Sequence, residues 1–82
     1  MRLDKFLKVS RIIKRRTVAN EACDAQRVKV NGRPARASYE VKIGDILELS
    51  LGAHSLKAEV LQVNEHVTKG GASELYTIIE EK

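Results

Sequence analysis

The stretch Ala25-Gln26-Arg27-Val28-Lys29-Val30-Asn31-Gly32-Arg33 decides the fold, because the hydrophobic period changes inside it. Upstream, apolar residues recur at helical spacing; from Val28 they alternate, with Lys29 between Val28 and Val30. Asn31-Gly32 is the dipeptide that best tolerates the positive φ angles of a two-residue hairpin turn, and Arg33 resumes the chain. The stretch predicts a short hairpin entered from a helix.

Working back from it, Thr17 to Ala25 reads as a helix with Val18, Ala19, Ala22 and Cys23 on one stripe and Asn20, Glu21 and Asp24 largely off it. Thr17 is the expected cap, with Glu21 near the first turn. Earlier still, Leu3, Phe6 and Leu7 stand at i, i+3 and i+4, which predicts a helix over about Leu3 to Ser10 with Lys5 and Lys8 on its other face. Working forward, Gly44-Asp45 marks a turn, and Leu47, Leu49 and Leu51 then alternate with Glu48 and Ser50 as a half-buried strand. Leu56 to Val63 is its expected partner across Gly52-Ala53-His54. Glu65 to Ser73, with Lys69-Gly70-Gly71, reads as a loop, and Leu75 to Ile79 as a last strand. The predicted fold class is therefore α+β: two short N-terminal helices packed on a small antiparallel β-sheet.

The 82 residues suffice for one small domain and exclude a multidomain enzyme. With 43% hydrophobic and 32% charged residues and a single Pro, wholesale disorder is excluded as well. Phe6, Tyr39 and Tyr76 are the only aromatic residues, so the core must come from Leu, Ile, Val and Ala. The lone Cys23 has no cysteine partner for an internal disulfide or a zinc ribbon, which fits a reducing compartment. No apolar stretch approaches the roughly 18 residues of a membrane span. Asp4 and the lack of a Ser-rich tract speak against a mitochondrial targeting peptide. A cytoplasmic protein with no membrane partner is expected.

The formal net charge of +4 conceals an asymmetry. Residues 1–36 hold eleven Lys and Arg against Asp4, Glu21 and Asp24, a balance of +8, whereas residues 37–82 hold four Lys against eight acids, a balance of −4. A one-sign field costs self-repulsion, so a merely solubilising surface would mix the signs. The basic half is the half suited to a polyanion.

Within it, Lys14-Arg15-Arg16 immediately precedes the second helix, where the positive end of the helix dipole disfavours cations by about 0.3–1 kcal/mol each. A phosphate resolves the conflict by accepting from the free amides and neutralising the guanidinium groups together. Arg15 and Arg16 are the first candidates for phosphate contacts. A lone basic triplet would more often be a solvated loop; the other cations of this half shift the balance. Lys5, Lys8 and Arg11 extend the positive surface along and beyond the first helix, and Lys29, Arg33 and Arg36 flank it from the hairpin. With few aromatic platforms for stacking, recognition should rest on backbone shape, as for structured RNA. The reading requires these side chains to converge; scattered directions, or locking into internal carboxylate pairs, would defeat it.

Asp4 has two readings: a helix-start acid paired with Lys8, or an orienting group for Arg2 or Arg16. Cys23 reads as a small buried hydrophobe. His54 and His66 stand in turn or loop context and read as surface residues. Lys69-Gly70-Gly71 lacks the pattern of a nucleotide loop. No paired acids, triad or metal cluster can be assembled, so no enzymatic activity, metal or cofactor is expected.

Arg2-Leu3-Asp4-Lys5-Phe6-Leu7, Lys14-Arg15-Arg16-Thr17 with Ala19, Val28-Lys29-Val30-Asn31-Gly32 and Val41-Lys42-Ile43-Gly44-Asp45-Ile46 resemble, in order and spacing, the αL RNA-binding motif named after the fourth small-subunit ribosomal protein. The family usually has Gly where Gln26 stands, and a non-Gly residue at positive φ there costs about 1 kcal/mol. The resemblance implies a single RNA-binding domain over 1–82, with a motif core in 1–50 and a β-strand extension in 51–82. As a stand-alone chain it resembles the RqcP-type family of bacterial ribosome-associated quality control. That resemblance implies binding to stalled large ribosomal subunits through large-subunit rRNA and peptidyl-tRNA. It also implies action with an RqcH-type elongating factor during C-terminal alanine tailing, with Arg2, Asp4 and Arg16 on the RNA-facing surface and a monomer when free. Three alternatives stay open: a heat-shock-type ribosome-recycling protein, in which a long basic C-terminal extension would be expected where this chain has Glu80-Glu81-Lys82; an RNA-targeting accessory of an RNA-modifying enzyme; and a membrane-surface or DNA binder, for which the first helix offers a narrow apolar face.

Overall fold

The computed structural model describes residues 1–64 and 75–81. Two helices, α1 (Leu3–Val9) and α2 (Arg16–Asp24), precede five strands, β1 (Val28–Val30), β2 (Arg33–Pro34), β3 (Ile46–Leu51), β4 (His54–Val60) and β5 (Tyr76–Glu81). The strands form one antiparallel sheet in the order β2-β1-β3-β4-β5, so the α+β reading of two short helices and a small antiparallel sheet holds.

Helices of 7 and 9 residues are too short to be stable alone, and packing supplies what propensity lacks. Leu3, Phe6 and Leu7 are fully buried, and the small Ala19, Ala22 and Cys23 of α2 complete the core together with Val28, Val30, Leu47 and Leu49 from the sheet. Burial of a Leu or Phe side chain contributes about 1.5–3 kcal/mol each. Val18, expected on the buried stripe, is instead 45% exposed, because the contact face of α2 is only as wide as Ala19, Ala22 and Cys23. Thr17 is not the cap either. Arg15 is the N-cap, extended at φ −119° and ψ 131° with no side-chain cap bond, and its carbonyl closes the first turn by accepting from Ala19 N at 3.1 Å.

Gln26 adopts φ +60° and ends α2 in a Schellman turn: its amide donates to the Cys23 carbonyl at 3.0 Å, and the Arg27 amide to the Ala22 carbonyl at 2.9 Å. Asn31 and Gly32 turn at φ +53° and +85° between the paired Val30 and Arg33, as the hairpin reading required. Asn31 does more than turn. Its Oδ1 accepts from the Ile46 amide at 3.0 Å, and its Nδ2 donates to buried Asp45 at 3.1 Å. Asp45 also accepts from the Tyr39 hydroxyl at 2.9 Å and the Lys42 amide at 2.9 Å, tying the hairpin to the turn before β3.

The partner of β3 begins at His54, earlier than the expected Leu56, and ends at Val60. A two-residue turn at Gly52-Ala53 leaves His54 free to pair opposite Leu51. The loop expected over Glu65 to Ser73, with His66, lies outside the described residues. On the sheet face turned away from the core, Lys29, Glu48, Lys57 and Glu80 are direct cross-strand neighbours across four strands, so the charges alternate in sign along the row. At the N-terminus, the Met1 ammonium pairs with Glu40, and Arg2 bridges to Glu40 by backbone pairing. The Leu3 amide donates to the Tyr39 carbonyl at 2.8 Å, which fixes where Arg2 leaves the fold.

Candidate nucleic-acid interface

Asp4 is 2% exposed at the start of α1, and its carboxylate is the hub of the basic corner. Its shortest bond is local, from the Lys5 amide to Oδ1 at 2.8 Å. Arg2 approaches as a fork, with Nε at 3.3 Å from Oδ1 and Nη2 at 3.3 Å from Oδ2. From α2, Arg16 donates through Nη2 to Oδ1 at 3.4 Å, with its Nε 3.4 Å from Oδ2. One turn along α2, Asn20 donates through Nδ2 to Oδ2 at 3.3 Å. Of the two readings of Asp4, the geometry is that of the orienting group: the donors come from Arg2, Lys5, Arg16 and Asn20, and no bond to Lys8 is formed.

Burial works to raise the Asp4 pKa, yet the bonds from Asn20, Arg16 and the Lys5 amide outweigh it and hold the carboxyl below the ordinary aspartate value. The arginines are oriented without being neutralised. One carboxylate cannot cancel two guanidinium groups, and contacts of 3.3–3.4 Å are long for charge-assisted bonds. The Arg2 and Arg16 side chains remain 50% and 47% exposed, leaving donor edges turned to solvent. The arrangement can therefore present two half-free guanidinium groups at fixed spacing to an anion.

Arg15 and Lys14 are exposed beside Arg16 at the N-terminus of α2, whose first turn holds no acid. Arg11, exposed in the left-handed region at φ +64°, and exposed Lys8 in the last turn of α1 continue toward the same linker. Lys5 is half-buried, about 100° round the helix from Asp4. The hairpin cations divide. Arg33 and Arg36 border a groove of about 370 Å³ with Tyr39, along the segment that follows β2. Lys29 lies on the outer face of the sheet, opposite Glu48, and is not brought together with Arg2 and Arg16.

Asn20 sits off the apolar stripe, so hydrophobic periodicity carries no sign of its role, although its spacing of one turn from Arg16 puts both on the same side of α2. Cys23 is 3% exposed, and burial, aided by the charges of Asp4 and Asp24, pushes its thiol up to about 11. Among the described residues no three His, Cys, Asp or Glu side chains could hold a metal ion. Among the same residues no helix is long and apolar enough to cross a membrane.

Residues 1–47 match the S4 domain family. Across the whole chain, the RQC P-site tRNA stabilizing factor of Streptococcus pneumoniae is 49% identical over 81 residues, covering 99% of this chain and 92% of that protein. Proteins of the same name from Halalkalibacterium halodurans and Bacillus subtilis are 50% and 46% identical over 82 residues, covering all of this chain and 93% and 95% of theirs. Among solved structures, the trimeric Heat Shock Protein 15 of Vibrio cholerae superposes with a TM-score of 0.87 at 28% identity, over 95% of this chain and 80% of that one. With a matching family over its first 47 residues and relatives near half identical along its full length, the chain belongs to the S4 domain family and, within it, to the family of these stabilizing factors.

Proposed function

We propose that this protein is a non-catalytic, cytoplasmic RNA-binding component of bacterial ribosome-associated quality control. It binds stalled large ribosomal subunits by gripping large-subunit rRNA and the peptidyl-tRNA, and it supports alanine tailing of the arrested chain by an RqcH-type elongating factor. The observation that carries the reading is the Asp4 hub: a buried carboxylate that holds both Arg2, just ahead of α1, and Arg16, the first residue of α2, while each stays about half exposed. Relatives named for stabilizing P-site tRNA in this process, near half identical over the full length, supply the biological setting. Arg15, Lys14, Arg11, Lys8 and Lys5 provide the surrounding positive field, with Arg33 at the periphery and Lys29 apart on the outer sheet face, and the free protein acts as a monomer. Co-sedimentation with large subunits from cells, followed by sequencing of crosslinked RNA, tests the reading; rRNA and tRNA should both be recovered. A folded Arg16→Ala protein that co-sediments normally would remove that residue from the site.

The likeness to Heat Shock Protein 15 favours one second reading, a ribosome-recycling protein of that type. The captured subunits separate the two. Subunits carrying peptidyl-tRNA and elongating factor support quality control, whereas equal capture of empty subunits supports recycling.

A further inference from the structure

A groove of about 580 Å³ opens between the exit of α2 and the segment 34–38 that returns from β2, and it shares Pro34, Ala35, Arg36 and Ser38 with the Tyr39 groove. Arg2, Arg36 and Ser38 line it, with Asn20, Asp24 and Gln26 from α2 and its terminal turn. Its size suits one small planar group. A purely phosphate-binding surface would be lined by donors alone, and this one also carries acceptors. Asn20 gives one of its two Nδ2 hydrogens to Asp4 and keeps its carbonyl oxygen as an acceptor, and the Asp24 carboxylate accepts only. Acceptors match the N–H groups on the edge of a nucleobase, whereas guanidinium groups match the phosphate or stack on the base plane. Stacking on arginine also needs no aromatic residue, and this surface is poor in them.

We propose that the groove receives a single unpaired nucleotide of the bound RNA, with its phosphate at Arg2 and Arg36 and the donor edge of its base, as in guanine, against Asp24 and Asn20. The proposal rests on the RNA-binding reading above and adds Arg36 and Asp24 as specificity-determining residues. Three short RNA hairpins test it: one with a bulged guanosine, the same hairpin with an abasic bulge, and a fully paired version. The wild-type protein should bind the guanosine bulge about tenfold more tightly than the other two. Ser38→Trp, which fills the groove and leaves every cation in place, should abolish that preference while changing affinity for the paired hairpin less than about twofold. Arg36→Ala should shrink the preference in the same direction. Equal binding of the three hairpins by the wild type, or a preference that survives Ser38→Trp, overturns the groove and leaves RNA binding standing. Failure to bind any of them overturns both.

Discussion

Arg16 and Asp4 are 12 residues apart in the chain, and the Arg16 guanidinium lies 3.4 Å from the Asp4 carboxylate, joining the first turns of the two helices. The contact serves packing and presentation at once. Asp4 holds α2 against α1 while setting the direction in which Arg16 leaves the surface. Removing the acid and removing the base should therefore have different consequences.

Asp4→Asn keeps the shape and removes the charge that aims both arginines. The arginines are half exposed and can reach water, so the loss of stability should be about 1–2 kcal/mol, below the range for a fully buried broken pair. Urea denaturation reads that loss. Co-sedimentation of the folded variant should fall further than stability alone explains; normal subunit binding would deny Asp4 its orienting role.

Arg16→Ala and Arg2→Ala should each lower the urea midpoint less than Asp4→Asn does, since both side chains are about half solvent-exposed and Asp4 keeps its other donors. Binding to rRNA should weaken. The slope of log affinity against log salt should become shallower by about 0.7–0.9 for each phosphate contact removed. A variant with the wild-type slope makes no phosphate contact at that position.

Stability should fall in acid. Burial opposes ionisation at Asp4 and Asp45, but hydrogen bonds from Asn20 and Arg16 in one case, and from the Lys42 amide, Tyr39 and Asn31 in the other, leave both carboxyls below the ordinary value of 3.8. A depressed folded pKa means that the unfolded chain binds more protons, so the contribution is complete above about pH 4–5 and is lost as pH falls through the folded values. At the other end, the bond to Asp45 raises Tyr39 above its ordinary 10.0, a contribution present below that pH and lost as pH rises past it. Urea titrations across pH should show both limbs, and Asp45→Asn should flatten each of them.

Gln26→Gly should stabilise the fold by up to about 1 kcal/mol, because glycine occupies φ +60° without the Cβ penalty. An unchanged or lower urea midpoint would show that the Gln26 side chain compensates for its backbone.

Cys23 should resist thiol reagents in the folded protein, since its thiol is buried and its pKa is raised to about 11. Labelling should appear in urea in step with unfolding. Rapid labelling in native buffer would reveal local opening of α2.

Periodicity was enough to locate α1, the hairpin at Asn31-Gly32 and the alternation of β3, since each depends on neighbours within a few residues. It misjudged Val18 and Thr17, because the width of a buried stripe and the first residue of a helix depend on what packs against them. It was blind to the bonds from Asn20 to Asp4 and from Asn31 to Asp45, which join residues 16 and 14 apart. Such hubs leave no repeating trace in a single sequence. The charge asymmetry pointed to the basic corner, but it could not tell that Lys29 turns to the far face of the sheet while Arg36 borders two grooves.

The row Lys29, Glu48, Lys57 and Glu80 bears on how the molecule approaches its target. Alternating signs a strand apart cancel within a few ångströms, so that side projects almost no field into salt water, while the helical corner projects a strong one. A polyanion would thus turn the incoming protein by torque before any contact forms, and it would dock corner first with its far side still uncommitted.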